Sequence, residues 1–140
     1  QKCTRNQVVT FLWRAAGEPE PSSSKNPFVD VAESDYFYKA VLWAVENGIT
    51  NGMSDTTFAP ASPCTRAQVA TFLWRAQGQP APQNASSPFS DVTGDYYYNA
   101  VLWAVENGIT NGLDEGRFGP DATCTRGQIV TFMYRLINEK

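Results

Sequence analysis

The chain has 140 residues, 42% of them apolar and 13% aromatic, with a formal net charge of −3 at pH 7 and no histidine. A sequence pI near 4.8 leaves no basic face for nucleic acid or for anionic lipid. No apolar run reaches the 18 or so residues of a membrane-spanning helix, so no membrane insertion is expected.

Close to its start the chain carries Cys3-Thr4-Arg5-Asn6-Gln7, a stretch that returns as Cys64-Thr65-Arg66-Ala67-Gln68 and as Cys124-Thr125-Arg126-Gly127-Gln128. The spacing is about 60 residues, the period of a small helix-pair repeat. Thr followed three residues later by Gln, ahead of an apolar run, predicts a capping box at each helix start. Each Cys precedes its cap, and Val8, Val69 or Ile129 follows at the spacing of a hydrophobic staple. In the first copy Val8, Phe11, Leu12 and Ala15 are expected to form the buried stripe. Gly17 and Gly78 are expected to stop the first two helices, with Pro19 and Pro80 just beyond.

Residues 1–17 therefore read as the second half of a repeat. Residues 18–27 are a Pro/Ser-rich linker. Phe28-Val29-Asp30-Val31 opens a complete repeat, 28–78, whose first helix is expected from Tyr36 to Gly48. Its centre, Ala40 to Val45, is apolar on almost every side and should be enclosed by neighbours. Ile49-Thr50-Asn51-Gly52 turns the chain, and Phe58-Ala59-Pro60 leads to the second capping box. A second linker, 79–88, precedes another complete repeat, 89–140. It opens on Phe89-Ser90-Asp91-Val92 and passes through Tyr96-Tyr97-Tyr98, Ile109-Thr110-Asn111-Gly112 and Phe118-Gly119-Pro120. The count is three capped helices against two preceding halves, and together they are expected to make one all-α repeat domain. A repeat helix does not bury its apolar face alone, so the first capped helix is expected to lack a neighbour. The missing half is expected to come from a longer parent protein, a second copy or another repeat.

The order Phe-x-Asp-Val, aromatic helix, Gly-Ile-Thr-Asn-Gly, Phe-x-Pro and Thr-Arg-x-Gln resembles the S-layer homology (SLH) repeat, about two and a half copies over nearly the whole chain. The resemblance implies a pseudo-threefold helical domain, extracellular in a bacterial cell wall or S-layer. It also implies binding of an acidic, often pyruvylated, secondary cell-wall polysaccharide in grooves between repeats. By that likeness Arg5, Arg66 and Arg126 would line grooves. The family's Thr-Arg-Ala-Glu carries Glu where this chain has Gln7, Gln68 and Gln128, and an aliphatic residue where it has Cys. The change to Gln keeps the cap and leaves each arginine without a neighbouring carboxylate.

The residues themselves leave alternatives open. An arginine in the first turn opposes the helix dipole, which suggests an anion bound in its fork; the alternatives are an interhelix salt bridge or a solvated arginine. Asn51-Gly52 and Asn111-Gly112 either offer backbone donors to a sugar or form tight turns that need positive φ. Trp43 and Trp103 read as core, and Trp13 and Trp74 as core with stacking on a sugar ring as the alternative. Tyr36-Phe37-Tyr38 and Tyr96-Tyr97-Tyr98 must turn at least one ring outward and are weak candidates for sugar contact. Asp30 and Asp91 are expected to cap the aromatic helix or its preceding turn. Calcium at Asp114 and Glu115 has thin support. Cys3, Cys64 and Cys124 read as small buried staple residues rather than a metal site. With no histidine, nucleophile elbow or phosphate loop, an enzyme is the least supported class. No cofactor is expected. The main alternative to wall anchoring is a protein–protein interaction module.

Overall fold

The computed structural model describes residues 2–22, 25–50, 52–83, 89–92, 96–110, 112 and 116–138. Five helices occur in chain order: α1 (Arg5–Ala15), α2 (Tyr38–Glu46), α3 (Arg66–Ala76), α4 (Tyr98–Glu106) and α5 (Arg126–Asn138). Among the described residues β pairing is limited to isolated bridges, so the fold is all-α as the sequence leads one to expect.

The helix starts are built as the capping box predicts. Gln7, Gln68 and Gln128 accept the N–H of Thr4, Thr65 and Thr125 through Oε1 at 2.9 Å. In return Gln68 and Gln128 donate their own N–H to the threonine hydroxyls at 3.1 Å. In the first copy the Thr4 hydroxyl donates to Asn6 Oδ1. Such caps each contribute roughly 0.5–2 kcal/mol.

The buried stripe of α1 differs from the expected one. It runs Arg5, Val8, Val9 and Leu12, whereas Phe11 is half-buried and Ala15 exposed. The spacing is the predicted i, i+3, i+4, i+7, but it starts on an arginine, because acceptors for that guanidinium lie inside. The aromatic helices also begin later than expected, at Tyr38 and Tyr98. Ahead of α2 a turn closed by Asp35 N–H to Ala32 O, with the Asp35 carboxylate accepting from Ala32 N–H, holds Tyr36 and Phe37 outside the helix. Tyr36 is 62% exposed, while Phe37 is buried, and the two rings meet edge to face at 5.2 Å. Tyr96 and Tyr97 repeat this arrangement at 5.1 Å.

The chain forms two compact units, Thr4–Pro63 on the one hand and Gln1–Cys3 with Cys64–Lys140 on the other. In the first, α1 packs on α2. The linker is tied to the helices: Trp13 Nε1 donates to Pro19 O, Lys39 pairs with Glu20 at 2.8 Å, and Ser22 N–H donates to the Glu46 carboxylate. In the second unit α3 packs on α4 around Ala67, Ala70, Phe89, Val92, Tyr97, Val101 and Phe118. Trp74 Nε1 likewise donates to Pro80 O. Trp103 is buried, but Trp13, Trp43 and Trp74 are only half-buried, so the core reading holds for one indole of four.

Asp30 and Asp91 do not cap the aromatic helices. Asp30 accepts from the N–H groups of Phe58 and Ala59 at 2.9 and 2.8 Å, and Asp91 accepts from Phe118 and Gly119 at 2.9 Å each. Each carboxylate thus staples the Phe-x-Pro loop of its own unit, 27–29 residues on. The staple holds the second residue of the loop at positive φ, 59° at Ala59 and 75° at Gly119. Alanine there is strained where glycine is not. Ala59→Gly is therefore expected to raise stability by up to about 1 kcal/mol, since relief of strain outweighs the added freedom of the unfolded chain; urea denaturation midpoints of the two chains decide it.

In the second unit the three cysteines close a ring through their backbones. Cys3 N–H donates to Cys124 O at 2.9 Å, Cys124 N–H to Cys64 O at 2.8 Å, and Cys64 N–H to Cys3 O at 2.8 Å. All three side chains are fully buried and none is disulfide-bonded. Among the described residues no group of three His, Cys, Asp or Glu is placed to hold a metal ion. Burial pushes the Cys3 thiol up to about 11. It pushes Cys124 up to about 12, with the neighbouring Cys3 adding to the rise. Folding therefore favours the protonated thiols. Their contribution is fully present below about pH 9, the ordinary thiol value, and is lost as pH rises toward 11 and 12. Alkylation by iodoacetamide at pH 8 is expected to be slow in the native chain and fast in denaturant, read by mass spectrometry.

Candidate functional site

The candidate site is built from the start of α3. Arg66 opens that helix, and its side chain turns inward to become 3% exposed. Its Nε donates to Phe118 O at 2.9 Å and its Nη2 to Thr110 Oγ1 at 3.3 Å. The guanidinium lies 4.8 Å from the Phe118 ring centroid and 5.7 Å from that of Phe132. Burial pulls the pKa of Arg66 below its ordinary value, while Cys124 and Asp91 pull the other way.

Thr110 is the second component. Its buried hydroxyl also accepts the N–H of Gly112 at 3.3 Å, so one oxygen links the arginine to the loop that follows α4. Gly112 has φ of +88°, and a Cβ built on it would sit 2.7 Å from Phe89 Cε1 and 3.0 Å from Arg117 O. Only glycine fits there, because the Phe89 ring closes over the loop.

The third component is one side of α5. A cavity of about 520 Å³ is lined by Arg66, Thr110, Gly112, Thr125, Gly127, Gln128, Thr131, Phe132 and Arg135. Arg135 stands on the last turns of α5, where a cation suits the helix dipole. Its Nη1 donates to Ile109 O at 3.2 Å, which ties the helix to the loop. Two guanidinium groups thus border one cavity together with three threonines and a carboxamide, and none of the described lining residues is acidic.

In the first unit Arg5 repeats the start of this arrangement. It is 3% exposed, with Nε on Phe58 O at 2.8 Å and Nη2 on Thr50 Oγ1 at 3.4 Å, and its guanidinium lies 4.8 Å from the Phe58 centroid. Gly52 N–H donates to Thr50 Oγ1 at 3.2 Å. Arg126 is different, since it is exposed on α5. Along its face Val130 is 57% and Tyr134 67% exposed, although the matching Val9 and Ala70 on α1 and α3 are buried. The helix without a covering half-unit among the described residues is therefore α5 and not α1 as expected, because α1 packs on the α2 that follows it.

Of the residues singled out from the sequence, Arg66, Gln128 and Gly112 share the cavity. Arg5 at the start of α1 and Gly52 in the loop hold the matching places in the first unit, Gln7 and Gln68 serve their caps, and Arg126 is not among the cavity-lining residues. Asn51, Asn111, Asp114 and Glu115 fall outside the described residues. Sequence reasoning missed Arg135, Thr110, Thr125, Thr131, Gly127 and Phe132. A signal for Arg135 was present: Arg14, Arg75 and Arg135 close the shared tail of all three capped helices.

The family model for the S-layer homology domain matches residues 27–70 and 88–130. Among curated proteins the chain is similar to an endoglucanase of Bacillus sp. (strain KSM-635), 31% identical over 86% of this chain and 13% of the endoglucanase. It is also similar to a cell surface protein of Thermoanaerobacter kivui, 28% identical over 95% of this chain and 18% of the relative. A third is the surface-layer 125 kDa protein of Lysinibacillus sphaericus, 33% identical over 71% of this chain and 8% of the relative. The chain thus spans less than a fifth of the length of each of these relatives.

Proposed function

Because the chain belongs to the S-layer homology domain family, a cell-surface anchoring module placed in the cell wall or S-layer, we propose that it holds its parent protein there by binding an acidic, pyruvylated secondary cell-wall polysaccharide. The observation that carries this reading is the cavity with two arginines and no acidic side chain among its described lining residues. A carboxylate offers paired acceptors to guanidinium donors. The threonine hydroxyls and the Gln128 carboxamide supply the mixed donors and acceptors that sugar hydroxyls need. The module itself is non-catalytic, and any activity belongs to the rest of the parent chain.

The test is titration of the chain with purified wall polysaccharide, with and without its pyruvyl groups. Affinity that falls on their removal supports the reading. Equal affinity for both moves recognition to the neutral sugars, and binding to neither removes the anchor.

A second reading rests on the α5 face. Arg126, Val130 and Tyr134 form an exposed, partly apolar strip, which favours contact with another protein surface or repeat. Light scattering of the isolated chain tests the case of a second copy: a concentration-dependent dimer supports it, and a monomer at every concentration counts against it.

A further inference from the structure

We propose that Arg135 is the cation that contacts the ligand's carboxylate, and that Arg66 is a positioning residue which shapes the cavity without leaving its place; this rests on the acidic-glycan reading above. The two arginines border the same space but differ in what binds them. Arg66 is enclosed between two phenylalanine rings and donates from Nε and Nη2 to Phe118 O and Thr110 Oγ1. Phe118 is fully buried. Swinging Arg66 toward a ligand would strip the buried Phe118 carbonyl of this donor and release the hydroxyl that also holds Gly112, a change that opposes itself.

Arg135 has no such enclosure. It is half-buried, and a guanidinium carries five N–H donors in a fixed fork. The bond to Ile109 O engages Nη1, and no ion pair joins Arg135 to a carboxylate among the described residues. That bond fixes the side chain at the cavity and leaves the fork donors to reach a ligand. Thr131 and Gln128 stand on the same side of α5, one and two turns before it. A carboxylate held by Arg135 therefore has a hydroxyl and a carboxamide within one face for the ring that bears it.

The experiment compares the whole chain with Arg135→Gln and Arg135→Lys. The probes are wall polysaccharide bearing its carboxylates and the same glycan with those groups reduced to alcohols. Wild type is expected to prefer the carboxylated glycan. Arg135→Gln is expected to weaken that binding about 10- to 100-fold with little change for the reduced glycan, which abolishes the preference. Arg135→Lys keeps the charge and loses the fork, so it should fall between. Unchanged circular dichroism and thermal midpoint establish that α5 is intact, which a structural role alone would not combine with loss of preference. An Arg135→Gln chain that keeps the wild-type preference overturns the assignment while leaving the acidic-glycan reading in place. A wild type without any preference overturns both.

Discussion

Arg66→Ala is expected to cost about 3–5 kcal/mol, whereas Arg126→Ala, at the same position of the same motif, should stay within about 0.5 kcal/mol of wild type. The first substitution leaves the buried Phe118 carbonyl and Thr110 hydroxyl without the donor that bridges them. It also empties the space between Phe118 and Phe132. An unsatisfied buried polar group costs about 1–3 kcal/mol, and the cavity adds to that. Arg126 is exposed, where substitutions are close to neutral. Arg5→Ala should resemble Arg66→Ala, because its Phe58 carbonyl and Thr50 hydroxyl are equally buried. Denaturant midpoints of the three variants measure the contrast. Equal losses at Arg66 and Arg126 would mean that the α5 face is covered in solution.

The second large effect is expected at Gly112. Gly112→Ala should destabilise by about 2–5 kcal/mol, from a left-handed φ that costs an alanine about 1–2 kcal/mol and an overpacked Phe89 contact worth about 1–3 more. Gly52→Ala meets an even closer Phe28 Cε1, at 2.6 Å, and should be at least as costly. Gly48 is the control: its φ is +73° but nothing lies within 4 Å of an added Cβ, so Gly48→Ala should show the backbone cost alone. Since Gly112 lines the cavity, its variant should also lose glycan affinity in proportion to the displaced loop, and thermal midpoints with binding isotherms separate the two losses.

The repeat, the caps and the helical class were legible in the sequence because they depend on near neighbours: Thr4 and Gln7 are three residues apart and meet whatever the rest of the chain does. The inward turn of Arg5 and Arg66 was not legible, because their acceptors lie 53 and 52 residues further on. An arginine at a helix start looks solvated or ligand-bound until the Phe-x-Pro carbonyl is seen to meet it. Asp30 and Asp91 misled for the same reason, since a carboxylate beside an aromatic helix resembles its cap and here serves a remote loop. Arg135 escaped notice because a cation in a helix's last turn satisfies the dipole, and that local account needs no site. What separates it from Arg14 is the loop it reaches, not its own sequence neighbours.

The acidic glycan is expected to lodge in the cavity lined by Thr110, Gly112 and one side of α5. The most direct measurement is amide chemical-shift mapping of the chain during titration with pyruvylated wall polysaccharide. Shifts concentrated at Thr110, Gly112, Gln128, Thr131 and Arg135 are the predicted result. Shifts confined to Arg126, Val130 and Tyr134, with that group silent, would contradict it.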